Sequence, residues 1–388
     1  MSQRRVAFLF VGGAHQVLHS ASVAAELGRD PRFDVTCFVA QEEERGMLEQ
    51  IARAWPDSRL SITDLPAPLW SSLIGRLWPK LRAMKLPRLL ANRKRLFAFD
   101  AIVLTERTST ILKKLPGCPP LIHIPHGAGD RARGFEPRLR LFDLVIVSGD
   151  KDAHRMTGEG LVAESRIAVS GSTKLDALDR LGVNRPKLFD NDKPVVLYNP
   201  HFEIALSSWP RWGQQIIDAF AAQSDFNLIV APHIRLFEGA SAADRAALEA
   251  RAIPGRIIVD AGSARSCDMT YTNAADIYVG DVSSQVYEFL ARPRPCVFLD
   301  STGADWKDDP NYAFWHLGDV VTDLSDVLSA TARAAATHTA YSARQNAAVS
   351  AAVGGNWHGA SARAAAAIAG FVTGAPASGA LASTTVRS

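Results

Sequence analysis

The chain has 388 residues, long enough for two domains that each bury a hydrophobic core. Its hydrophobic content of 47% and charged content of 21% are typical of a soluble globular protein. No apolar run reaches the length of a transmembrane helix, and the run at 6–13 is too short for a signal peptide. The formal net charge of +3 says little by itself, but the charges are distributed unevenly along the chain.

The four cysteines are widely scattered and form neither a Cys-x-x-Cys pair nor a Cys/His pattern with metal-ligand spacing. This usage favours reduced thiols in a cytosolic setting over disulfides or a zinc site. We therefore expect a cytoplasmic protein. The four residues are Cys37, Cys118, Cys267 and Cys296.

The first part of the chain alternates between strand and helix patterns. Strands are predicted over 5–13 and 33–40, and helices over 14–28 and 42–54. This alternation predicts an α/β fold with a doubly wound parallel sheet. The glycines around Gly13 allow close approach of a ligand or another backbone segment, and they place His15 and His19 near a helix start. The turn is not a G-x-G-x-x-G signature, so we predict no nicotinamide site.

A basic segment at 65–99 contains no acidic residue and interleaves Lys and Arg with leucines and tryptophans. This pattern is typical of an amphipathic segment on an anionic membrane surface, and it would equally suit a polyanionic acceptor. The alternative is a helix that packs on the domain with a solvated basic face. The candidate contact residues are Arg88, Arg93, Lys94 and Arg95.

A histidine in a glycine-rich loop follows the predicted strand at 121–125. Because ligands bind at the carboxyl edge of a parallel sheet, this position favours a catalytic role for His126. The alternative is a loop histidine whose ring is satisfied by backbone groups. Asp130 and Arg131 follow in the same loop, and we assign them with Gly13 and His15 to the acceptor side of the site.

A second strand–helix series begins after a polar linker within 181–192. Its predicted strand at 194–199 is followed by His201 and Phe202, and its strand at 226–230 by His233 and Arg235. Both histidines are therefore predicted at the carboxyl edge of a second sheet.

The stretch 272–300 reads as strand, loop, helix and strand. The loop contains Gly280, Asp281, Ser283 and Ser284, directly before the predicted helix. Unpaired backbone N–H groups and the positive end of a helix dipole favour an anion at such a position. The alternative is that Asp281 or Ser283 is only an N-cap.

Together these patterns predict two Rossmann-like domains. The N-terminal acceptor domain spans 1–185 and the C-terminal nucleotide-donor domain spans 190–345. A C-terminal helix at 346–373 packs back across the domains, and a disordered tail occupies 374–388.

Several motifs together resemble the glycerophosphotransferases that use CDP-glycerol to build teichoic-acid-type polymers, which belong to the class of two-Rossmann-domain (GT-B) transferases. Their order and spacing over residues 120–370 carry the resemblance, and GASARAAAAI at 359–368 is the least distinctive. The others are HGAGD at 126–130, VSG at 147–149, VSGSTKLDAL at 169–178, VLYNPHF at 196–202, VAPHIRLF at 230–237 and DIYVGDVSSQVYEFL at 276–290.

The resemblance implies a GT-B-like α/β fold in which two doubly wound domains face a central cleft. It implies that His126 and His233 are catalytic. The implied nucleotide- and phosphate-binding residues are Arg235, Gly280, Asp281, Ser283, Ser284, Gly171, Ser172 and Glu288. The chain departs from the family at His201–Phe202, where the family has a threonine- or tryptophan-bearing segment. It also has Arg131 or Arg133 where a lysine often follows the first HG motif.

The implied reaction moves a glycerophosphoryl group from CDP-glycerol to a hydroxyl of a glycan, lipid-linked or polymeric acceptor and releases CMP. His126 would accept the hydroxyl proton, while His233 and Arg235 would stabilise the pyrophosphate and the leaving CMP. We expect no cofactor, no nucleic-acid partner and no obligatory metal, because no DxD-type ligand set is present. The pair Asp308–Asp309 could be read as metal ligands, but two solvated charges in a loop are an equally good interpretation.

Three alternatives remain. A GT-B glycosyltransferase with a nucleotide-sugar donor would use Glu288 near the ribose. A UDP-sugar 2-epimerase would have no use for the basic segment. A non-enzymatic polyanion- or membrane-binding module would leave the histidines and the serine loop unexplained. With the transferase we expect a cytoplasmic location, peripheral on the inner face of the membrane.

Overall fold

The computed structural model describes residues 3–68, 85–183 and 185–374, with residue 133 described by its backbone alone. Part of the basic segment, 69–84, and the predicted tail beyond residue 374 lie outside the described residues. The chain divides into two compact units. The N-terminal unit comprises Met1–His126, Phe135–Leu181 and Asn356–Ser388, and the C-terminal unit comprises Gly127–Gly134 and Gly182–Gly355.

The N-terminal unit is built on a seven-stranded sheet with the order β3-β2-β1-β4-β5-β6-β7, in which all neighbouring strands are parallel. Its central strands are buried apolar runs, as expected for a sheet covered on both faces. The strands are β1 (Arg4–Phe10), β2 (Phe33–Val39), β3 (Ser61–Asp64), β4 (Ala101–Leu104), β5 (Leu121–His123), β6 (Leu144–Val147) and β7 (Ile167–Val169).

The C-terminal unit is built on a six-stranded sheet with the order β10-β9-β8-β11-β12-β13, again entirely parallel. Its strands are β8 (Val195–Asn199), β9 (Asn227–Val230), β10 (Ile257–Val259), β11 (Ile277–Gly280), β12 (Cys296–Leu299) and β13 (Asp319–Val321).

Helices connect the strands in both units. The α-helices are α1 (Ala21–Leu27), α2 (Glu42–Ala54), α3 (Lys85–Ala91), α4 (Arg93–Leu96), α5 (Asp150–Gly158), α6 (Thr173–Arg180), α7 (Trp209–Ala222), α8 (Ala242–Glu249), α9 (Thr270–Ala274), α10 (Gln285–Phe289), α11 (Val327–Thr337), α12 (Thr339–Val353) and α13 (Ala360–Thr373). The 3-10 helices are Ala14–His19, Thr108–Lys114, Ala132–Gly134, Pro137–Leu141, Glu164–Arg166, Ile204–Leu206, Ala264–Ser266, Pro310–Leu317 and Leu324–Asp326.

The predicted α/β fold with two doubly wound parallel sheets is confirmed. In each sheet the strand order reverses beside the first strand of the unit, between β1 and β4 and between β8 and β11. Ligands of open parallel sheets bind beyond the carboxyl ends of the strands at such a reversal. The carboxyl edges of the two sheets are therefore the expected ligand-binding edges.

The predicted helix at 14–28 is replaced by two shorter elements, a 3-10 helix at Ala14–His19 and α1. Ser20 interrupts them with non-helical backbone angles. His15 and His19 consequently lie on the 3-10 turn directly after Gly13, and not along an α-helix.

The last helix of the described chain, α13, belongs to the N-terminal unit, whereas α12 belongs to the C-terminal unit. Asp176 caps the start of α13 by accepting hydrogen bonds from the backbone N–H groups of Gly359 at 2.7 Å and Ser361 at 2.9 Å. The Ser361 hydroxyl contacts that of Ser22 on α1 at 2.8 Å, and both side chains are fully buried. Helix α13 is thus an integral part of the N-terminal core.

Candidate functional site

His126 lies just beyond β5 and is exposed to solvent on one side, while protein atoms are dense around its ring. Its Nδ1 is 3.0 Å from the carbonyl oxygen of Thr105, so Nδ1 carries the hydrogen and donates it. The neutral ring therefore has its lone pair on Nε2. Desolvation, followed by the charges of Arg107 and Lys85, lowers the pKa of His126 and outweighs the opposing effect of the Thr105 bond. A neutral imidazole of this kind can accept a proton at physiological pH.

Two further histidine rings lie near that of His126. The ring centroids of His15 and His19 lie 5.8 and 6.4 Å from that of His126. Desolvation and then the charge of the buried Lys174 hold the pKa of His19 well below its ordinary value. Burial, reinforced by these charges, thus favours the neutral form of His19. Sequence reasoning chose His15 but missed Lys174, because the strand–helix pattern does not indicate that α6 approaches this turn.

Gly13 lies in the turn between β1 and the first 3-10 helix with φ of +106°, a conformation that favours glycine. Its N–H donates to the carboxylate of buried Glu44 at 3.0 Å, and that carboxylate also accepts from the N–H groups of Ala40 and Gln41. Burial raises the pKa of Glu44. The Gly13 N–H is therefore engaged in holding the turn to the start of α2.

Gly171 and Ser172 belong to the N-terminal unit, whereas Gly280 to Ser284 belong to the C-terminal unit. The ideal Cβ of a side chain at Gly171, where φ is +87°, would lie 2.9 Å from the Arg363 guanidinium and 3.2 Å from Ala360. The Ser172 hydroxyl accepts a hydrogen bond from the N–H of Leu175 and caps α6. Both residues help α13 and α6 to pack.

The four basic candidates differ in their contacts. The Arg88 guanidinium donates to the carbonyl oxygens of Ala40 and Leu65 at 3.0 and 2.6 Å. The Arg95 guanidinium lies 4.9 Å from the centre of the Phe38 ring. Arg93 and Lys94 are exposed on the short helix α4. Arg88 thus has a structural role within the unit, and the surface that could meet an anionic partner is carried by α4.

In the C-terminal unit, His233 follows β9 and packs against an aromatic and basic cluster. Its Nδ1 accepts a hydrogen bond from the N–H of Arg235 at 3.2 Å, so the neutral ring carries its hydrogen on Nε2. The Phe202 ring lies 4.6 Å from that of His233, and the Arg235 guanidinium lies 4.3 Å from the centre of Phe202. The buried ring of His201 lies 4.4 Å from Phe202. The cluster offers a flat aromatic surface, a fixed positive charge and a ring N–H.

Asp281 follows β11 but is fully buried, and it is not an N-cap. Its Oδ2 accepts hydrogen bonds from the N–H groups of His201 at 2.8 Å and Ser208 at 2.9 Å. Its Oδ1 has no hydrogen-bond partner within the described part of the chain. Burial raises the pKa of Asp281 to about 7. The carboxyl group therefore joins the loops after β8 and β11, and it does not face solvent where a phosphate would bind.

Ser283 and Ser284 lie before α10, which has only five residues. Ser283 is buried and its hydroxyl accepts the N–H of Gln285 at 3.3 Å, while Ser284 is half-buried. Gly280 ends β11, and a Cβ there would lie 2.7 Å from the Tyr278 hydroxyl oxygen. Glu288 is half-buried on α10. Among these residues Ser284 is the better placed serine for a phosphate.

The loop Gly127–Gly134 packs within the C-terminal unit, although the sequence places it in the first half of the chain. The Tyr287 hydroxyl donates to Asp130 Oδ2 and Oδ1 at 2.8 and 3.0 Å. Arg131 forms an ion pair with Glu203, and its Nη1 lies 2.8 Å from Nε2 of His201. Sequence reasoning placed Asp130 and Arg131 on the acceptor side and missed Tyr287 and Glu203, because these contacts depend on tertiary packing.

A cavity of about 1090 Å³ lies at the opposite, amino edge of the second sheet. It is lined by the linker after Asn184 and by residues that begin strands, among them Val195 and Ile277. Its Arg294 is half-buried and donates to the carbonyl oxygens of Thr272 and Ala275. Within the C-terminal unit this cavity lies at the opposite sheet edge from His233 and Ser284, because those residues follow the carboxyl ends of the strands.

Over residues 3–68, 85–183 and 185–374, no group of three or more His, Cys, Asp and Glu side chains is arranged to hold a metal ion. Within the same described ranges, no helix has both the length and the apolar character needed to cross a membrane.

The two doubly wound parallel sheets, of seven and six strands, define the GT-B fold, in which two Rossmann-like domains occur in one chain. No protein-family model matches the chain, and no curated protein matches it.

Solved structures that share the fold include two kinds of enzyme. UDP-GlcNAc 2-epimerase from Neisseria meningitidis bound to UDP-GlcNAc is 13% identical with a TM-score of 0.62, over 95% of this chain and 100% of that chain. S. aureus MnaA with UDP is 14% identical with a TM-score of 0.63, over 96% and 97%. The wall teichoic acid polymerase TagF is 13% identical with a TM-score of 0.62, over 96% and 89%. At these identities the likeness shows the fold.

Proposed function

We propose that the protein is a glycerophosphotransferase that moves a glycerophosphoryl group from CDP-glycerol to a hydroxyl of a glycan, lipid-linked or polymeric acceptor. The observation that carries the proposal is the opposite tautomers of two strand-end histidines. His126 presents a lone pair on Nε2, whereas His233 presents a hydrogen there. One ring is thus suited to accept a proton from a nucleophile and the other to donate a hydrogen bond to a phosphate oxygen.

In the proposed reaction the acceptor hydroxyl attacks the phosphorus that bears glycerol. Its oxygen forms the new P–O bond as Nε2 of His126 takes its proton. The bond from that phosphorus to the bridging oxygen of the pyrophosphate breaks, and CMP leaves with the electron pair. In-line transfer of this kind depends mainly on positioning and on compensation of the developing negative charge.

The groups of the C-terminal unit hold the donor in this proposal. Arg235 and the Nε2–H of His233 face the pyrophosphate, and the Ser284 hydroxyl binds a phosphate oxygen. The Phe202 ring provides a surface on which a pyrimidine can stack. With these positive groups present the reaction needs no cofactor and no metal ion, so we expect CMP release to persist in excess EDTA.

The order of the motifs favours CDP-glycerol over other donors, and a solved TagF structure with a CDPG soak has the same fold. UDP-GlcNAc 2-epimerases share the fold to the same degree, so the fold does not distinguish the two reactions. We propose a cytoplasmic location, peripheral on the inner face of the membrane, because Arg93 and Lys94 are exposed on α4.

The first experiment is a thermal-shift panel of CDP-glycerol, CDP, CMP, UDP-sugars and GDP-sugars. A ligand that binds the native state raises the Tm by mass action. We expect only cytidine nucleotides to stabilise the protein and expect Ser283→Ala/Ser284→Ala to lose that shift. Stabilisation by UDP-GlcNAc alone would replace the proposal with sugar transfer or epimerisation.

Single variants refine this experiment. Ser284→Ala should weaken CDP-glycerol binding about tenfold, the effect of one hydrogen bond to a charged group. Ser283→Ala is the matched control, because the Ser283 hydroxyl is buried against Gln285 and should matter less. Equal losses in the two variants would point to a change in the shape of the loop and not to a phosphate contact.

A further inference from the structure

The loop Gly127–Gly134 follows His126 without an intervening residue, yet it is a compact part of the C-terminal unit. The peptide bond between residues 126 and 127 is thus a point where the chain passes from one unit to the other. Whatever holds this loop restricts the backbone that carries His126.

Asp130 joins the loop to α10. Its carboxylate accepts the Tyr287 hydroxyl through both oxygens, at 2.8 and 3.0 Å. Asp130 is 3% exposed and Tyr287 is 2% exposed, so the contact is shielded from water. A hydrogen bond to a buried carboxylate is stronger than one between neutral groups, because the acceptor is charged and water does not compete.

The same loop meets the serine turn. Gly127 has φ of +89°, and a Cβ built there would lie 3.1 Å from Oγ of Ser284. A Cβ on Gly129 would lie 3.1 Å from Cβ of Ser284. The N–H of Ala132 donates to Asn311 at 2.6 Å at the far end of the loop. The glycines thus allow the backbone after His126 to lie against the proposed phosphate-binding serine.

We propose that Asp130 and Tyr287 are positioning residues, which hold the loop after His126 against Ser284 and so fix the His126 imidazole for proton transfer. The inference rests on the proposed function, and it assigns to Tyr287 a role that its place in the sequence does not indicate. Loss of the Tyr287 hydroxyl should loosen the loop and misplace the His126 ring. It should leave the donor contacts at Arg235 and His233 intact.

The chain offers a matched control for this contact. The Tyr341 hydroxyl donates to Asp319 at 2.7 Å, also within the C-terminal unit. Tyr341→Phe removes the same atom from the same kind of pair, but its segment is not joined to His126. Asp130→Asn is the conservative variant, because its side-chain oxygen can still accept the Tyr287 hydroxyl.

The test compares wild type, Tyr287→Phe, Tyr341→Phe and Asp130→Asn in the full chain by four measurements. These are amide hydrogen exchange of a peptide covering 127–134, pH-dependent C2–H exchange of the His126 ring, calorimetric affinity for CDP-glycerol, and kcat for CMP release. In Tyr287→Phe we expect loop exchange about tenfold faster and kcat about tenfold lower, the factor for one lost buried hydrogen bond. The C2 titration of His126 should shift, while the donor Kd stays unchanged.

Tyr341→Phe should leave the loop, the His126 titration and kcat unchanged, and Asp130→Asn should keep most of the wild-type behaviour. The proposal is overturned if Tyr287→Phe leaves both loop exchange and the His126 titration as in wild type, or if the loop loosens without any change at His126. If wild type turns over no CDP-glycerol but His126 still responds to Tyr287→Phe, the glycerophosphotransferase function fails and the positioning pair stands.

Discussion

His126 and His233 occupy equivalent places in their units, each just beyond a strand on the carboxyl edge of a parallel sheet. Their surroundings are nevertheless opposite. The Nδ1 of His126 faces a carbonyl oxygen, whereas the Nδ1 of His233 faces a backbone N–H. The same strand-end position therefore produces a proton acceptor in one unit and a hydrogen-bond donor in the other, and the difference comes from one backbone contact to each ring.

The charged groups near the two rings also differ between a proton acceptor and a hydrogen-bond donor. Desolvation, with the charges of Arg107 and Lys85 adding to it, lowers the pKa of His126 and favours its neutral form. Around His233 the fixed charge of Arg235 lies over an aromatic ring instead. The N-terminal unit thus keeps a base unprotonated, and the C-terminal unit presents groups suited to a phosphate and a nucleobase.

The largest expected effect comes from removing the base. His126→Ala should lower kcat for CMP release by about 10²–10⁴-fold, the usual contribution of general base catalysis. In wild type kcat should rise with pH as His126 loses its proton, with a midpoint below the ordinary histidine value of about 6.5. His358→Ala is the control, since that ring is exposed in the same unit. If the pH profile of kcat in His126→Ala is the same as in wild type, His126 is not the base, and the proposed difference in role between His126 and His233 is contradicted.

The second prediction concerns Asp281, which supports the loop carrying His201 and Phe202. Its pKa of about 7 exceeds the ordinary value of 3.8, so the folded protein binds this proton more tightly than the unfolded chain. Its contribution to the free energy of unfolding is therefore full below about pH 4 and is lost as pH rises towards 7. Between pH 5 and pH 8 this loss should be about 2–3 kcal/mol.

Urea unfolding of wild type and Asp281→Asn at the two pH values checks this prediction. The asparagine variant lacks the titrating group and should lose correspondingly less stability as pH rises. Asp323→Asn serves as the control, because hydrogen bonds from Ser325 lower the pKa of the exposed Asp323 from 3.8; the group does not titrate between pH 5 and pH 8, so this variant should keep the wild-type pH dependence. Identical pH dependence in wild type and Asp281→Asn would contradict the prediction.

The third prediction extends the comparison to the surfaces of the units. Arg93→Gln/Lys94→Gln should weaken binding to phosphatidylserine vesicles about tenfold or more, since each basic residue near such a surface contributes about 1 kcal/mol. Cosedimentation measures this, and CDP-glycerol affinity should not change. Arg88→Gln should instead lower the Tm, because its guanidinium bonds two carbonyl oxygens. Unaltered vesicle binding by the double variant would refute the membrane role.

The smallest effect is expected at the aromatic cluster. Phe202→Leu removes the ring on which the pyrimidine is proposed to stack, which should weaken CDP-glycerol binding about two- to fivefold, equivalent to about 0.5–1 kcal/mol for one aromatic contact. Calorimetry can resolve this difference. Phe226→Leu, at the amino edge of the same sheet, is the matched control and should leave affinity unchanged. Equal effects of the two substitutions would indicate general loosening of the unit.

The sequence allowed the two sheets to be predicted, because apolar runs ending in Gly, Pro or His mark buried strands and their carboxyl ends. It also placed His126, His233 and Ser284 at those ends. It could not show the tautomers, because the backbone groups facing each ring come from distant segments.

Two other features also depend on contacts that chain order does not reveal. Local patterns do not indicate that Gly171 lies against Arg363 and Ala360 of α13. Asp130 appeared to belong with the N-terminal unit, but Tyr287 holds it in the other. Helices and strands can be recognised from local residue patterns. The unit to which a loop belongs cannot, because the position of a loop is decided by tertiary packing.

The capping of α13 by Asp176 and its contact with Ser22 have a consequence for folding on the ribosome. Ser22 and Ser361 lie 339 positions apart, so this part of the N-terminal unit cannot close until nearly all the described chain has been synthesised. Until then the apolar face of α1 that meets α13 stays uncovered, which exposes the nascent chain to aggregation. The residues Gly182–Gly355 emerge before α13, so the unit whose synthesis begins first is the last to be completed.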